Sequence, residues 1–193
     1  MPDVKHFDSA EALTAVELLF WRKGAASTGI QDIVTATGLS RSSLYNAFGG
    51  KDGLYLTALQ RYLDERSRPM FARLGADQRG LPAVTAFFDR LIRLRCGGDF
   101  ARWGCFVTNA HADGPSEAAQ AVIDQHHDSL HAAFLAALEV AEGKNQLRPG
   151  TGLAGSAEML TLLAYAINLR SRAGTPRETL RAGATAAVDS LGR

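Results

Sequence analysis

The sequence predicts an all-α protein of about nine helices, split between a three-helix N-terminal unit and a larger helical body. Three observations lead there. Apolar residues recur at three- and four-residue spacing, as one face of a helix requires. Helix stops fall at Gly24, Gly38, Gly49-Gly50, Gly97-Gly98 and Gly143, and Pro82 and Pro176 sit as early helix residues. A pair of very short helices joined by a glycine turn occupies residues 30–51.

The first helix starts at Asp8 or Ser9, where Asp8 and Glu11 make a capping-box-like opening. Leu13, Val16 and Phe20 share a face, and Arg22 and Lys23 suit the negative end of the helix dipole. Residues 30–51 read IQDIVTATGLSRSSLYNAFGGK. Thr28 is placed to cap the first short helix, Gly38 to end it, and Ser40 to cap the second, which runs through Phe48. Ile33, Leu39, Leu44 and Phe48 are its apolar members, while Arg41, Ser42, Ser43, Tyr45 and Asn46 occupy the other side. This is a helix-turn-helix pattern, in which the second helix offers short polar side chains and an arginine to a major groove.

The order T-G-I-x-D-I-V-x-x-T-G-L-S-x-S-S-L-Y-x-x-F-G-x-K-D-x-L, Thr28 to Leu54, resembles the DNA-binding segment of the tetracycline-repressor (TetR/AcrR) family of bacterial regulators. The L-Y-x-x-F-x-x-K portion, Leu44 to Lys51, is its most specific part, and the resemblance spans residues 9–60. It implies that Thr28, Tyr45 and Lys51 hold phosphates of double-stranded operator DNA while Arg41, Ser42, Ser43 and Asn46 face bases. It also implies a DNA-binding domain at 1–50 and an effector-binding and dimerisation domain at 51–193. Gly29 and Asn46 depart from the family pattern, which puts the target sequence in doubt rather than the class.

Composition sets bounds. A chain of 193 residues with 46% hydrophobic and 21% charged content can bury a proper core. Its net charge of +1 does not advertise nucleic acid. In the first 51 residues Lys5, Arg22, Lys23, Arg41 and Lys51 are balanced by Asp3, Asp8, Glu11, Glu17 and Asp32. DNA affinity must then come from the placement of cations, from helix N-termini and from doubling in a dimer. Cys96 and Cys105 are too few for a disulfide framework, the N-terminus lacks a secretory apolar core, and no apolar run is long enough for a membrane span. A reduced cytoplasmic protein with no cofactor is expected.

In the body, a fourth helix starts near Lys51 and carries Leu54, Leu59, Tyr62 and Leu63, with Arg61, Asp64, Glu65 and Arg66 as a solvated surface. Pro69 should end or bend it near Arg68, and residues 75–80 form a boundary. A helix from Pro82 to Cys96 carries Val84, Phe87, Phe88, Leu91, Ile92 and Leu94. A short one holding Trp103, Cys105, Phe106, Val107 and Asn109 follows; its G-C-F-V-x-N run, Gly104 to Asn109, also recurs in many members of the resembled family.

The longest helix spans about Ser116 to Glu142. At about 100° per residue, Ile123, His127, Leu130, Phe134 and Leu138 fall within a roughly 60° arc, with His131 and Asp124 beside it. His127 is therefore expected in the core or lining a cavity; a metal site built from Asp124, His127 and His131 is the alternative reading. Cys105 has two readings as well: a buried thiol, or a thiolate that senses oxidants or electrophiles.

Two closing helices, about Gly152 to Ala173 and Thr175 to Leu191, are apolar or small nearly all round. Leu160, Leu163, Ile167, Leu180, Ala184, Ala187 and Val188 are expected at a homodimer interface, with packing inside one chain as the alternative. A mostly apolar effector cavity is expected among Phe88, Leu91, Trp103, Phe106, Asn109, His127, His131 and Phe134. No catalytic fingerprint such as a P-loop, G-x-S-x-G or H-E-x-x-H occurs. The combined expectation is a ligand-responsive DNA-binding regulator, most simply a repressor that a small molecule releases from DNA, and not an enzyme.

Overall fold

The computed structural model describes residues 9–193; Asp8, expected to help open the first helix, lies outside them. Three helices, α1 (Ser9–Lys23), α2 (Ile30–Thr37) and α3 (Arg41–Phe48), form the N-terminal unit. Then come α4 (Lys51–Tyr62), a π-helical turn (Leu63–Ser67) and α5 (Arg68–Gly75), which run on as one rod. The body continues with α6 (Leu81–Cys96), α7 (Phe106–Ala112), α8 (Glu117–Gly143), α9 (Leu153–Arg172) and α10 (Arg177–Leu191). With α4 to α5 taken as one rod, the described residues make nine helices, as the sequence pattern implies.

Local chemistry explains most of the boundaries. Gly24, Gly38 and Gly49 adopt left-handed φ of 81°, 70° and 72°, and their N–H groups close the preceding helices on Phe20, Val34 and Tyr45 carbonyls. Ser40 Oγ accepts from Ser43 N at 3.1 Å, and Ser116 Oγ from Ala119 N at 3.4 Å. Thr28 does not cap α2. Its hydroxyl donates to the Gly24 carbonyl at 2.7 Å, and Asp32 instead takes the Gly29 N–H at 2.9 Å. That bond, reinforced by Lys23, holds the Asp32 carboxyl below its ordinary range. At α10 the start shifts by one: Pro176 occupies the cap position and Thr175 lies outside it.

Pro69 neither ends the rod nor leaves it regular. It has no N–H to give to the carbonyl four residues back, and the preceding turn widens so that Arg68 N–H reaches the Leu63 carbonyl. Helical structure then resumes to Gly75. Arg66, within this turn, is not merely solvated. Its Nε donates to Glu17 Oε1 of α1 at 2.9 Å, and its guanidinium packs over Trp21, Tyr62 and Phe100.

Two cores result. The N-terminal one joins Val16, Phe20, Trp21, Ile33 and Leu44 to Leu54, Tyr55, Leu59 and Tyr62 of α4, and it closes on Phe106 and Val107 of α7 and Ile123 of α8. The body core packs Phe87, Phe88, Leu91 and Phe134 with Leu160, Ile167, Leu180 and Val188. The expected interface set is thus largely spent inside the chain: Leu160, Ile167, Leu180, Ala184 and Val188 are buried, and Leu163 and Ala187 are half-buried. Helix α9 instead exposes Met159, Leu162 and Leu169, and the space around Gly183 of α10 is open.

Gly53 fixes how α3 meets α4. A Cβ there would lie 1.9 Å from the Phe48 carbonyl oxygen, a backbone atom that cannot swing aside. Gly53→Ala should therefore destabilise the protein by roughly 1–3 kcal/mol or split α3 from α4, despite alanine's better helix propensity. Urea denaturation checks this; unchanged stability would mean that the two helices can separate freely.

Candidate nucleic-acid interface and body cavity

Helix α3 is held by its inner side and open on its outer one. Leu44 is fully buried, with Leu39 and Phe48 half-buried around it. The opposite face leaves Arg41, Ser42, Ser43 and Asn46 exposed, and Tyr45 is 58% exposed. Ser42 and Ser43 hydroxyls each lie 2.8 Å from Ser40 Oγ, and Arg41 reaches Gln31 Oε1 at 3.3 Å. These are short or weak links that a base or phosphate could replace. Lys51 is half-buried at the start of α4, next to the Gly49-Gly50 turn. The Tyr45 ring covers Gly50, whose φ of 119° places its backbone where a Cβ would be 3.1 Å from the ring. Thr28 is buried with its hydroxyl committed to Gly24, so it does not stand with these residues as a phosphate ligand.

The second feature is a cavity of about 320 Å³ between the α4–α5 rod, α6, α8 and α9. Trp21, Arg66, Phe71, Phe87, Arg90, Leu91, Arg95, Cys105, His126 and Leu130 are among its walls. Arg95 donates to Asn168 Oδ1 at 2.6 Å and to the Tyr62 hydroxyl at 3.2 Å. Cys105 Sγ lies 3.9 Å from His126 Nε2, and His126 Nδ1 lies 3.2 Å from the Tyr165 hydroxyl. Burial alone would raise the Cys105 thiol, but the His126 bond and the positive fields of His126 and Arg95 outweigh it and bring the thiol down to about 5.

Residues 12–58 match the family profile described as bacterial regulatory proteins, tetR family. The transcriptional repressor ComR of Escherichia coli (strain K12) is 26% identical over 178 residues, 91% of this chain and 85% of ComR. The regulator CifR, solved with a 26-base-pair double-stranded operator DNA, superposes with a TM-score of 0.84 at 24% identity, covering 96% of this chain and 97% of CifR. NemR of E. coli, in its reduced form, gives 0.81 at 18% identity over 95% of this chain and 96% of NemR. Residues 12–58 thus carry the DNA-binding segment of the TetR family, and the whole chain shares the fold of solved TetR-family regulators. It is an all-α, DNA-binding transcriptional regulator and not an enzyme. Among its described residues no helix is long and apolar enough to cross a membrane.

Within the body the cavity is not where the apolar pattern puts it. Of the expected lining, Leu91 is in place. Phe88 and Phe134 stack on each other inside the body core, and Phe106 packs between Tyr55 and Tyr62. Trp103 lies against Trp21, and Asn109 Nδ2 donates back to the Trp103 carbonyl. Both Trp103 and Cys105 precede α7 rather than lie on it. In the G-C-F-V-x-N run, Gly104 has φ of 70° and sits where a Cβ would be 2.9 Å from Asn109 Oδ1. The run is thus a tight corner that delivers Cys105 to the cavity wall.

His127 is half-buried on the side of α8 that meets α9, 3.2 Å from Glu158 and stacked with Tyr165 and with half-buried His131. Asp124 bonds Gln120 at 2.6 Å, and no three possible metal ligands converge among the described residues. The buried histidine is its neighbour, His126. The signal was in the alanines: Ala119, Ala133, Ala137 and Ala141 are all buried, and counting them turns the inward arc of α8 toward position 126.

The thiol offers a direct check. Iodoacetamide should modify Cys105 of the folded protein with a rate that rises through about pH 5 and is already flat by neutral pH, since the thiolate exists above its lowered pKa. A rise centred near the ordinary 9.0, followed by intact-mass measurement, would show that His126 and Arg95 do not hold the thiolate.

Proposed function

We propose that this TetR-family protein is a repressor whose α3 reads operator DNA as one of a pair, and that a small molecule entering the body cavity releases it. The observation that carries the reading is the outward face of α3, Arg41, Ser42, Ser43, Tyr45 and Asn46, pinned from behind by Leu44. Arg41 and Asn46 can bond base edges, and Tyr45 and Lys51 can hold phosphates. ComR and BdcR of E. coli are both repressors, which supports the sign of the control.

A second copy would set two α3 helices on successive major grooves, about 34–36 Å apart or a multiple of it. The surface suited to that pairing is the exposed stripe Met159, Leu162 and Leu169 of α9.

Release needs an effector with different affinity for two arrangements of the head. Arg66 supplies a physical route: it lines the cavity and also holds buried Glu17 of α1. An occupant that draws Arg66 inward leaves the Glu17 carboxylate buried without its partner, and α1 must shift to relieve it.

A second reading is favoured by the lowered pKa of Cys105 and its place on the cavity wall. Its thiolate would attack the β-carbon of an α,β-unsaturated carbonyl compound. A C–S bond forms, the C=C electron pair becomes an enolate, and the enolate takes a proton from His126.

Two experiments bear on the first reading. In fluorescence anisotropy, Lys51→Ala should weaken binding to every duplex and lower the salt slope by about one, whereas Arg41→Ala should change which sequence is preferred at a cost of about 1–3 kcal/mol on the cognate site. Sequence preference untouched by Arg41→Ala would remove α3 from the base-reading role. Leu162→Arg should yield monomers by light scattering with an unchanged circular dichroism spectrum; a persisting dimer would place the pairing face elsewhere.

A further inference from the structure

We propose that the body cavity takes a small organic carboxylate, held by Arg90 and Arg73 with its apolar part against Phe71, Phe87 and Leu91. This deepens the effector reading above and rests on it for its consequence, though not for binding.

The reasoning is one of charge balance. Four guanidinium groups line the cavity, Arg66, Arg73, Arg90 and Arg95, against the single carboxylate Glu65. Glu65 is taken by Arg61 at 2.8 Å. Arg66 is matched by Glu17, and Arg95 by Asn168, Tyr62 and the nearby Cys105 thiolate. Arg73 and Arg90 have no carboxylate partner among the described residues. The acids on the adjoining surface are already committed, Asp77 to Arg79 and Asp89 to Arg181. Arg90 Nε is moreover buried with no hydrogen-bond partner at all.

A buried charged donor left unpaired is unfavourable, and a carboxylate is the group whose two oxygens match a guanidinium edge. Beside polar Ser67, Cys105, His126 and Asn168, much of the wall is apolar or aromatic, including Phe71, Phe87 and Leu91, and a bare inorganic anion would leave that apolar surface unused. The volume of about 320 Å³ is at the small end of ligand-burying pockets, which suits a single-ring acid.

Isothermal titration calorimetry on the full chain tests this without DNA. The probes are benzoate, phenylacetate and 4-phenylbutyrate, each against its own primary amide, with inorganic phosphate as a further probe. At least one carboxylate should bind about tenfold or more tightly than its amide, and Arg90→Gln should erase that difference while the circular dichroism melt is kept. Should Arg90→Gln not fold, Arg73→Gln is read in the same way. Amides binding as tightly as acids, phosphate alone matching the acids, or no acid binding below about 1 mM would each overturn the proposal. Operator release is measured separately: an acid that binds yet leaves DNA occupancy unchanged defeats the effector reading above, whereas absence of binding defeats this proposal and leaves DNA recognition by α3 standing.

Discussion

The ion pair between Glu17 and Arg66 is the joint on which the rest of the arrangement depends. Glu17 is 2% exposed, on a helix whose other inward residues, Val16, Phe20 and Trp21, are apolar. Burial raises its carboxyl above the ordinary value, and the Arg66 hydrogen bond and charge only partly pull it back. A raised carboxyl costs stability as pH rises through that pKa, because the folded state then holds a charge it would rather keep protonated. Arg66 stays about a third exposed, so the pair is solvated on one side and its net contribution is modest. Its value lies in geometry: it ties α1 of the head to the π-helical turn of the body.

That turn is where Pro69 leaves its mark. A regular helix from Lys51 to Gly75 would require an N–H that proline lacks, and the widened turn is the remedy. It also places Arg66 between Trp21 of the head and Phe100 of the α6–α7 connection. One sequence irregularity thereby sets the rod, the position of the guanidinium and one wall of the cavity. The close α3–α4 contact at Gly53 seats the end of α3 directly on the opposite end of the rod.

What was legible in the sequence was whatever is decided locally. Gly38, Ser40 and Gly49 announce their roles because a left-handed φ and a side-chain cap need only neighbouring atoms. The outward face of α3 was legible for the same reason, since Leu44 and Phe48 are its sole large apolar residues. Thr28 was misplaced because Asp32 three residues on competes for the same cap and wins with a carboxylate. His126 was missed because a stripe drawn through bulky residues ignores alanines, which mark where helices come closest. Arg66 looked like surface because its partner is 49 residues away. The cavity has no linear signature at all: it forms where α5, α6, α8 and α9 fail to fill the space between them, and charged residues from separate helices line that gap.

The apolar walls of α9 and α10 show the same limit from another side. Leu160, Ile167, Leu180 and Val188 are as apolar as an interface would need, yet the chain's own α6 and α8 use them. Only after those are assigned does a remainder stand out, Met159, Leu162 and Leu169, at three- and seven-residue steps along one side of α9. Leu162, 56% exposed in the single chain, is hard to reconcile with a solvated helix face and is in keeping with a self-complementary contact about a twofold axis. Pairing through α9 would hold the two bodies fixed, with each head attached through its rod, the Glu17–Arg66 contact and the packing of Trp21 on Phe100 and Trp103. The spacing between two α3 helices then depends on the one place where the cavity, the π-helical turn and the head meet.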